Sequence, residues 1–171
     1  TAIGYFAMGT GGATGGDNVA VGYYALDAVT TGDNNVAVGK ESLKANTTGG
    51  SNTAVGKDAM KVNTTGAANT VVGASALDAN TGGSSNIAVG YQALTSQTTG
   101  GDNTAVGRSA MSDNTTGTGN VAVGRDALEN NTTANNNTAV GYSAGKYCTT
   151  GAGNVMVGDY AGHGLTTAYY L

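Results

Sequence analysis

The chain has 171 residues, 30 of them glycine and none proline or tryptophan; 11% are charged and the formal net charge is -4. That balance offers nucleic acid nothing to hold, because such binding rests on clustered Lys and Arg, and no apolar run approaches the roughly 20 residues that span a bilayer. Cys148 is the single cysteine, so a disulfide framework within one chain is excluded.

Glycine, Asn and Thr at these levels often mean disorder, but the spacing of β-branched residues argues for order. A glycine closes a short motif at Gly4, Gly22, Gly39, Gly56, Gly73, Gly90, Gly107, Gly124, Gly141 and Gly158; the first interval is 18 residues and each later one is 17. A constant period in this range marks a solenoid, in which each repeat forms one coil and buries its apolar side only against its neighbours. The reading is one all-β repeat domain over 1–171, a parallel β-solenoid of about ten 17-residue coils. The chain opens at Thr1 inside a motif and stops at Leu171 soon after a Thr-Thr pair, so it is expected to be an excerpt of a longer protein. The residues in hand contain no basic-then-apolar leader.

The opening coil, within 1–21, is irregular. It places Met8 where Leu or Met recurs later, and its extra residue falls in the glycine-rich stretch Gly9 to Gly16, where a turn can bulge without moving strands. From Val19 the phase holds, with the consensus N-[TV]-A-V-G, two variable residues, A-[LM], two variable residues, N-T-T-G and a short polar linker. Before each glycine stands Ile3, Val21, Val38, Val55, Val72, Val89, Val106, Val123, Val140 or Val157. Two residues earlier come Val19, Val36, Thr53, Thr70, Ile87, Thr104, Val121, Thr138 and Val155. β-Branched side chains favour extended backbone, and a spacing of two puts both columns on one strand face.

The opposite face carries an Asn column (Asn18, Asn35, Asn52, Asn69, Asn86, Asn103, Asn120, Asn137, Asn154) and an Ala column. The Ala column is Ala20, Ala37, Ala54, Ala88, Ala105, Ala122 and Ala139, broken by Val71 and Met156. Stacked Asn side chains can bond along a ladder, and the glycine is expected at a corner that needs positive φ. A second apolar pair, such as Ala25-Leu26 or Ala59-Met60, is expected on or near a second short strand. Two arrangements of the Ala column are open. It can be packing filler in a thin core of Val and Leu, or it can face a symmetry mate in an oligomer. The second is preferred, because so small a coil has little apolar volume of its own. The terminal coils, 142–171, depart from the rule: Gly145 and Gly162 replace Leu or Met, and tyrosine accumulates at Tyr142, Tyr147, Tyr160, Tyr169 and Tyr170. Atypical end repeats cap a stack or lead into another domain.

The recurring N-[TV]-A-V-G with Ala three residues on resembles the head repeats of YadA-like trimeric adhesins, built on a similar Asn-Ser-Val-Ala-Ile-Gly motif. It is similar also to the N-T-A-V-G…A-L…N-T-T-G arrays of phage tail fibres and bacterial surface proteins that often precede a self-cleaving chaperone. The resemblance covers essentially the whole chain. It implies a left-handed parallel β-roll, usually a homotrimer, displayed on a cell or virion surface with adhesive or spacer duties.

Catalysis is not expected. His163 is the one histidine, has no acid or nucleophile at a recognisable spacing, and reads as a surface or capping residue. The acids do not share the column a calcium-binding roll requires, so no metal and no cofactor are expected. Asn46, Asn63, Asn114 and Asn131 each begin an Asn-Thr-Thr sequon, but Asn and Thr also suit tight turns. The candidate recognition surface is the column after the corner glycine: Tyr23, Lys40, Lys57, Tyr91, Arg108, Arg125 and Tyr142. These could bind a glycan or receptor, or be solvated gatekeepers. The expected function is a non-enzymatic shaft or head segment of an extracellular adhesin or tail fibre. Alternatives are a carbohydrate or receptor module and a self-assembling filament; ice binding is disfavoured because adjacent Thr pairs in extended backbone point to opposite faces.

Overall fold

The computed structural model describes residues 1–9, 12–167 and 169. Within them lies one 10-stranded sheet in sequence order: β1 (Ala2–Ile3), β2 (Val19–Val21), β3 (Val36–Val38), β4 (Thr53–Val55), β5 (Thr70–Val72), β6 (Ile87–Val89), β7 (Thr104–Val106), β8 (Val121–Val123), β9 (Thr138–Val140) and β10 (Val155–Val157). Every pairing is parallel. Val36 lies beside Thr53 and Val38 beside Val55, a step of one 17-residue coil, so equivalent residues form straight columns. Ala2 pairs with Ala20, and the extra residue of the first coil is taken up in the glycine-rich stretch before β2, where Thr10 and Gly11 lie outside the described residues. No helix among the described residues is long and apolar enough to cross a membrane.

Two expectations need correction. No second strand forms at the Ala-Leu pair. The backbone there alternates between ordinary and left-handed conformations: Glu41 has φ 57° and Leu43 φ 50°, Asp58 58° and Met60 50°. The alternation bends the chain back over the strand while still presenting bonds along the axis, with Glu41 N–H donating to Tyr23 O at 2.8 Å and Leu43 N–H to Ala59 O at 3.0 Å. The second correction concerns which strand face is inside. The middle residue of every strand from β2 to β10 is buried and its two β-branched neighbours are half-buried or exposed. The core is therefore the Ala column packed against Leu26, Leu43, Met60, Leu77, Leu94, Met111 and Leu128. Opposite the Leu or Met a coil of this girth takes a methyl group in most places, and Val71 opposite Leu77 in one.

The corner glycines meet their expectation, with φ between 127° and 145°, a region open to glycine alone. A Cβ on Gly56 would lie 2.5 Å from Gly73 O, so stacking at strand spacing independently forbids a side chain.

The Asn column forms the predicted ladder, buried throughout. The Asn52 backbone N–H and Nδ2 both donate to Asn35 Oδ1, at 3.0 and 3.2 Å, and Nδ2 also donates to Gly66 O at 2.9 Å. A second ladder, not expected, runs through Asn46, Asn63 and Asn80: Asn63 Nδ2 donates to Asn46 Oδ1 at 2.8 Å and to Gly66 O at 3.0 Å. Gln97 takes the next place, and its Oε1 accepts from Asn103 at 3.0 Å and Asn114 at 2.8 Å, joining the two ladders. A third line lies at the corner, where Thr47 Oγ1 donates to Thr64 O at 3.1 Å and Thr64 Oγ1 to Thr81 O at 2.9 Å.

The atypical final coils have a packing reason. Gly145 and Gly162 keep the left-handed conformation of the Leu column, at φ 60° and 64°, and Met156 fills the space they leave. A Cβ on Gly145 would stand 2.7 Å from Met156 Cε, and one on Gly162 2.5 Å from Met156 Sδ. Met has simply moved across the core from one column to the other. Gly145→Leu is expected to cost about 2 kcal/mol by overpacking. Adding Met156→Ala should recover most of it; urea melts of the two single variants and the double variant check this coupling.

Candidate interaction surface

The residues after the corner glycine form one line along the outside of the stack. Tyr23, Tyr91 and Tyr142 are 45%, 52% and 38% exposed, and Arg108 is exposed as well. The side chains of Lys40, Lys57 and Arg125 are more than half exposed. The seven candidates thus share a face, as expected, but several are engaged with neighbours. Lys40 Nζ stands 5.8 Å from the Tyr23 ring centre and Arg125 Cζ 5.4 Å from that of Tyr142. Lys57 Nζ bonds Asp58 Oδ2 at 2.5 Å and Arg125 Nε bonds Asp126 Oδ2 at 3.2 Å. Exposed pairs of this kind contribute little to stability, because water screens them.

Sequence reasoning paired Lys40 with Glu41, Lys57 with Asp58 and Arg125 with Asp126, as found, but did not join them to the lysines four places on. Lys61 Nζ lies 2.8 Å from Glu41 Oε2 and 3.7 Å from Asp58 Oδ1, and Lys44 Nζ 3.8 Å from Glu41 Oε2. The hydrogen bond from Lys61 holds the Glu41 carboxyl below its ordinary range. The signal was present in Lys-Glu-x-x-Lys (40–44) and Lys-Asp-x-x-Lys (57–61), which place an acid between cations of its own and the adjacent coil. Next to this network, burial and then the Asp58 charge push the Asp78 carboxyl up, and its Oδ1 is buried with no hydrogen-bond partner. A raised folded-state pKa means stability is fullest below the unfolded value of about 3.9 and is lost as pH rises through the folded value. Asp78→Asn should therefore gain on the parent as pH climbs from about 4 and then hold a constant advantage. Melting temperatures across that range read the trend directly.

The first coils carry a denser aromatic patch. Tyr5 stacks on Tyr23 at 5.5 Å and Phe6 on Tyr24 at 5.2 Å, with the two stacks meeting edge to face. Lys44 Nζ stands 4.9 Å from the Tyr24 ring centre. At the other end His163 packs edge-on to Tyr147 at 4.7 Å and Tyr160 at 5.1 Å, a position suited to the capping role expected of it. Of the tyrosines expected to crowd this end, Tyr170 lies outside the described residues.

The candidate oligomer stripe is misplaced. Ala20, Ala37, Ala54, Ala88, Ala105, Ala122 and Ala139 are each 0% exposed within the single chain, so no partner can touch them. Their strand neighbours face outward instead: Val72, Ile87, Val123 and Val140 are 41%, 42%, 36% and 37% exposed. The result is a flat, uncharged, two-column face of Val, Ile and Thr running the length of the sheet. The sequon Asn46, Asn63, Asn114 and Asn131 are all buried, so the folded coil has no place for a glycan on them. The adjacent Thr pairs also depart from expectation. Thr47 and Thr48 do not lie in extended strand; Thr47 is half-buried and Thr48 exposed, and the Thr47 hydroxyl is committed to the next coil.

No protein-family model matches the chain, and neither a curated protein nor a solved structure does so.

Proposed function

We propose that the chain is a non-enzymatic structural and adhesive segment of an extracellular surface adhesin or phage tail fibre, working as a homo-oligomer. The observation that carries this reading is the outward Val/Ile/Thr face. It runs the length of the sheet, it is backed by ladders bonded coil to coil, and it carries no charge to oppose a copy of itself. Ten strands at 4.7–4.9 Å spacing make a face nearly 50 Å long. At about 10 Å wide, two such faces together bury on the order of 1,000 Å², the lower bound of a specific interface. The motif resemblance supports a trimer and a place on a cell or virion surface.

Sedimentation of the purified chain should give a trimer. Val72→Glu with Val123→Glu should release folded monomers, because both residues are exposed in the single chain and their loss leaves the core intact. A wild-type monomer at high concentration would refute the assembly. Fibres by electron microscopy would favour a filament subunit instead.

The second reading, a glycan or receptor module, is favoured by the line of exposed Tyr, Lys and Arg, which flanks the proposed interface rather than lying in it. Changing Tyr23, Lys57, Tyr91 and Arg108 together to Ser should abolish binding on a glycan array while leaving oligomer mass unchanged. Undiminished binding would remove that line as the site.

A further inference from the structure

One corner of the stack has lost the bonds that Asn46, Asn63 and Asn80 keep at theirs. In the coils carried by β3, β4 and β5 the second-ladder Asn folds against the glycine three residues on, so that a Cβ there would lie 2.5–2.6 Å from the Asn Oδ1 at Gly49, Gly66 and Gly83. In the coil carried by β8 that glycine is Ala134. By that geometry a methyl group at 134 leaves no room for Asn131 Oδ1 where its equivalents hold theirs, and no hydrogen bond ties the Asn131 side chain to the ladder. Both polar atoms of Asn131 are buried without a partner, as is Asn114 Oδ1, which the Asn131 amide would otherwise reach. The following coil offers no repair, because Cys148 stands where an Asn is needed; its Sγ meets only Gly151 O at 3.5 Å and Asn154 Nδ2 at 3.9 Å.

The backbone records the same loosening. Thr132 N–H reaches Thr149 O at 3.3 Å, whereas the equivalent bonds from Thr30, Thr47, Thr64, Thr81, Thr98, Thr115 and Thr149 are 2.8–3.0 Å. The departure at Gln97 is different in kind, since its longer side chain satisfies both neighbours. Buried polar atoms left unpaired each cost about 1–3 kcal/mol. Asn114 Oδ1 and Asn131 Nδ2 mark the bond missing toward the β7 coil, and Asn131 Oδ1 the one missing toward Cys148 in the β9 coil. On that second side the methyl group also crowds the next coil, since a Cβ at each equivalent glycine from Gly32 to Gly117 would lie 2.3–2.5 Å from the following coil's carbonyl oxygen. In a solenoid held by nearest-neighbour contacts, the weakest interface sets where the stack parts.

We propose that the corner between the β8 and β9 coils, residues 131–134 against 148–151, is a preset yield point that opens before the rest of the stack and exposes Cys148 while the sheet stays paired. This goes beyond the assembly reading and holds for a monomer or a trimer alike. The fibre would then give way locally, and reseal, at a position written into one methyl group.

Cys148 reports the opening without any added probe, because a buried thiol whose pKa is pushed up by burial reacts only when the corner is open. In native buffer, an aromatic disulfide reagent should label Cys148 at least about tenfold faster than global unfolding allows, and Ala134→Gly should slow labelling by about tenfold. Hydrogen exchange on the unmodified chain gives a second reading: the Thr132 amide should exchange faster than those of Thr64 and Thr98. Gly117→Ala, which transplants the defect one coil earlier, should speed exchange at Thr115. Labelling that tracks global unfolding, with Thr132 protected like its equivalents, would overturn the proposal.

Discussion

Gly56→Ala is expected to lower the unfolding free energy by about 3 kcal/mol or more. Two causes act together. At φ 141° the backbone occupies a region closed to any residue with a Cβ. The added carbon would also stand 2.5 Å from Gly73 O and 2.6 Å from Gly73 C, backbone atoms that cannot turn aside as a side chain could. Relief would require the two coils to separate at the strand itself. A urea titration followed by circular dichroism should show the midpoint falling. Gly16→Ala, where a Cβ meets nothing within 4 Å and φ is not in the positive region, should change it by no more than about 0.5 kcal/mol. Equal effects at the two sites would show that the corner is not the constraint the geometry makes it.

Asn69→Ala should cost about 3 kcal/mol by a separate route. The side chain takes part in four hydrogen bonds: Nδ2 donates to Asn52 Oδ1 and Gly83 O, each at 3.0 Å, and Oδ1 accepts from the Asn86 backbone at 2.9 Å and Asn86 Nδ2 at 3.1 Å. Truncation leaves the buried Asn86 N–H without its acceptor. Thr65→Ala, at an exposed position on the same stack, is the control and should stay within about 0.5 kcal/mol. Thermal melts of the pair separate a ladder under strict geometric demand from a surface threonine. A loss at Asn69 no greater than at Thr65 would mean the interior Asn column is wet and contributes little.

These predictions share an origin in how the coils are bonded. Each coil lacks a core of its own, so its stability resides in bonds and contacts to the coils on either side. Substitution at one column position therefore disturbs two interfaces. Where the chain itself departs from the pattern, the outcome depends on whether a neighbour compensates. Gln97 is long enough to serve both ladders, Met156 fills what Gly145 and Gly162 vacate, and Ala134 with Cys148 has no compensation.

The residues alone determined the repeat, its 17-residue step, the parallel register and the first Asn ladder, because each follows from identical side chains recurring at a spacing that strands can stack. They also placed the strands at T-A-V and V-A-V and the tight corners at glycine. What they could not decide was which face of a three-residue strand lies inside. Val and Thr at alternate positions read as a core-facing pair in a wide sheet, and Ala between them reads as a surface. The choice is made by the girth of the coil. The left-handed turn after each corner brings Leu or Met back so close above the strand that Ala, or Val71 in one coil, fills the space beneath it, and the flanking β-branched residues turn outward. For the same reason the second ladder at Asn46 and Asn63, and the vacancy that Ala134 forces on it, came into view only when atoms 17 residues apart were placed within a hydrogen bond of each other.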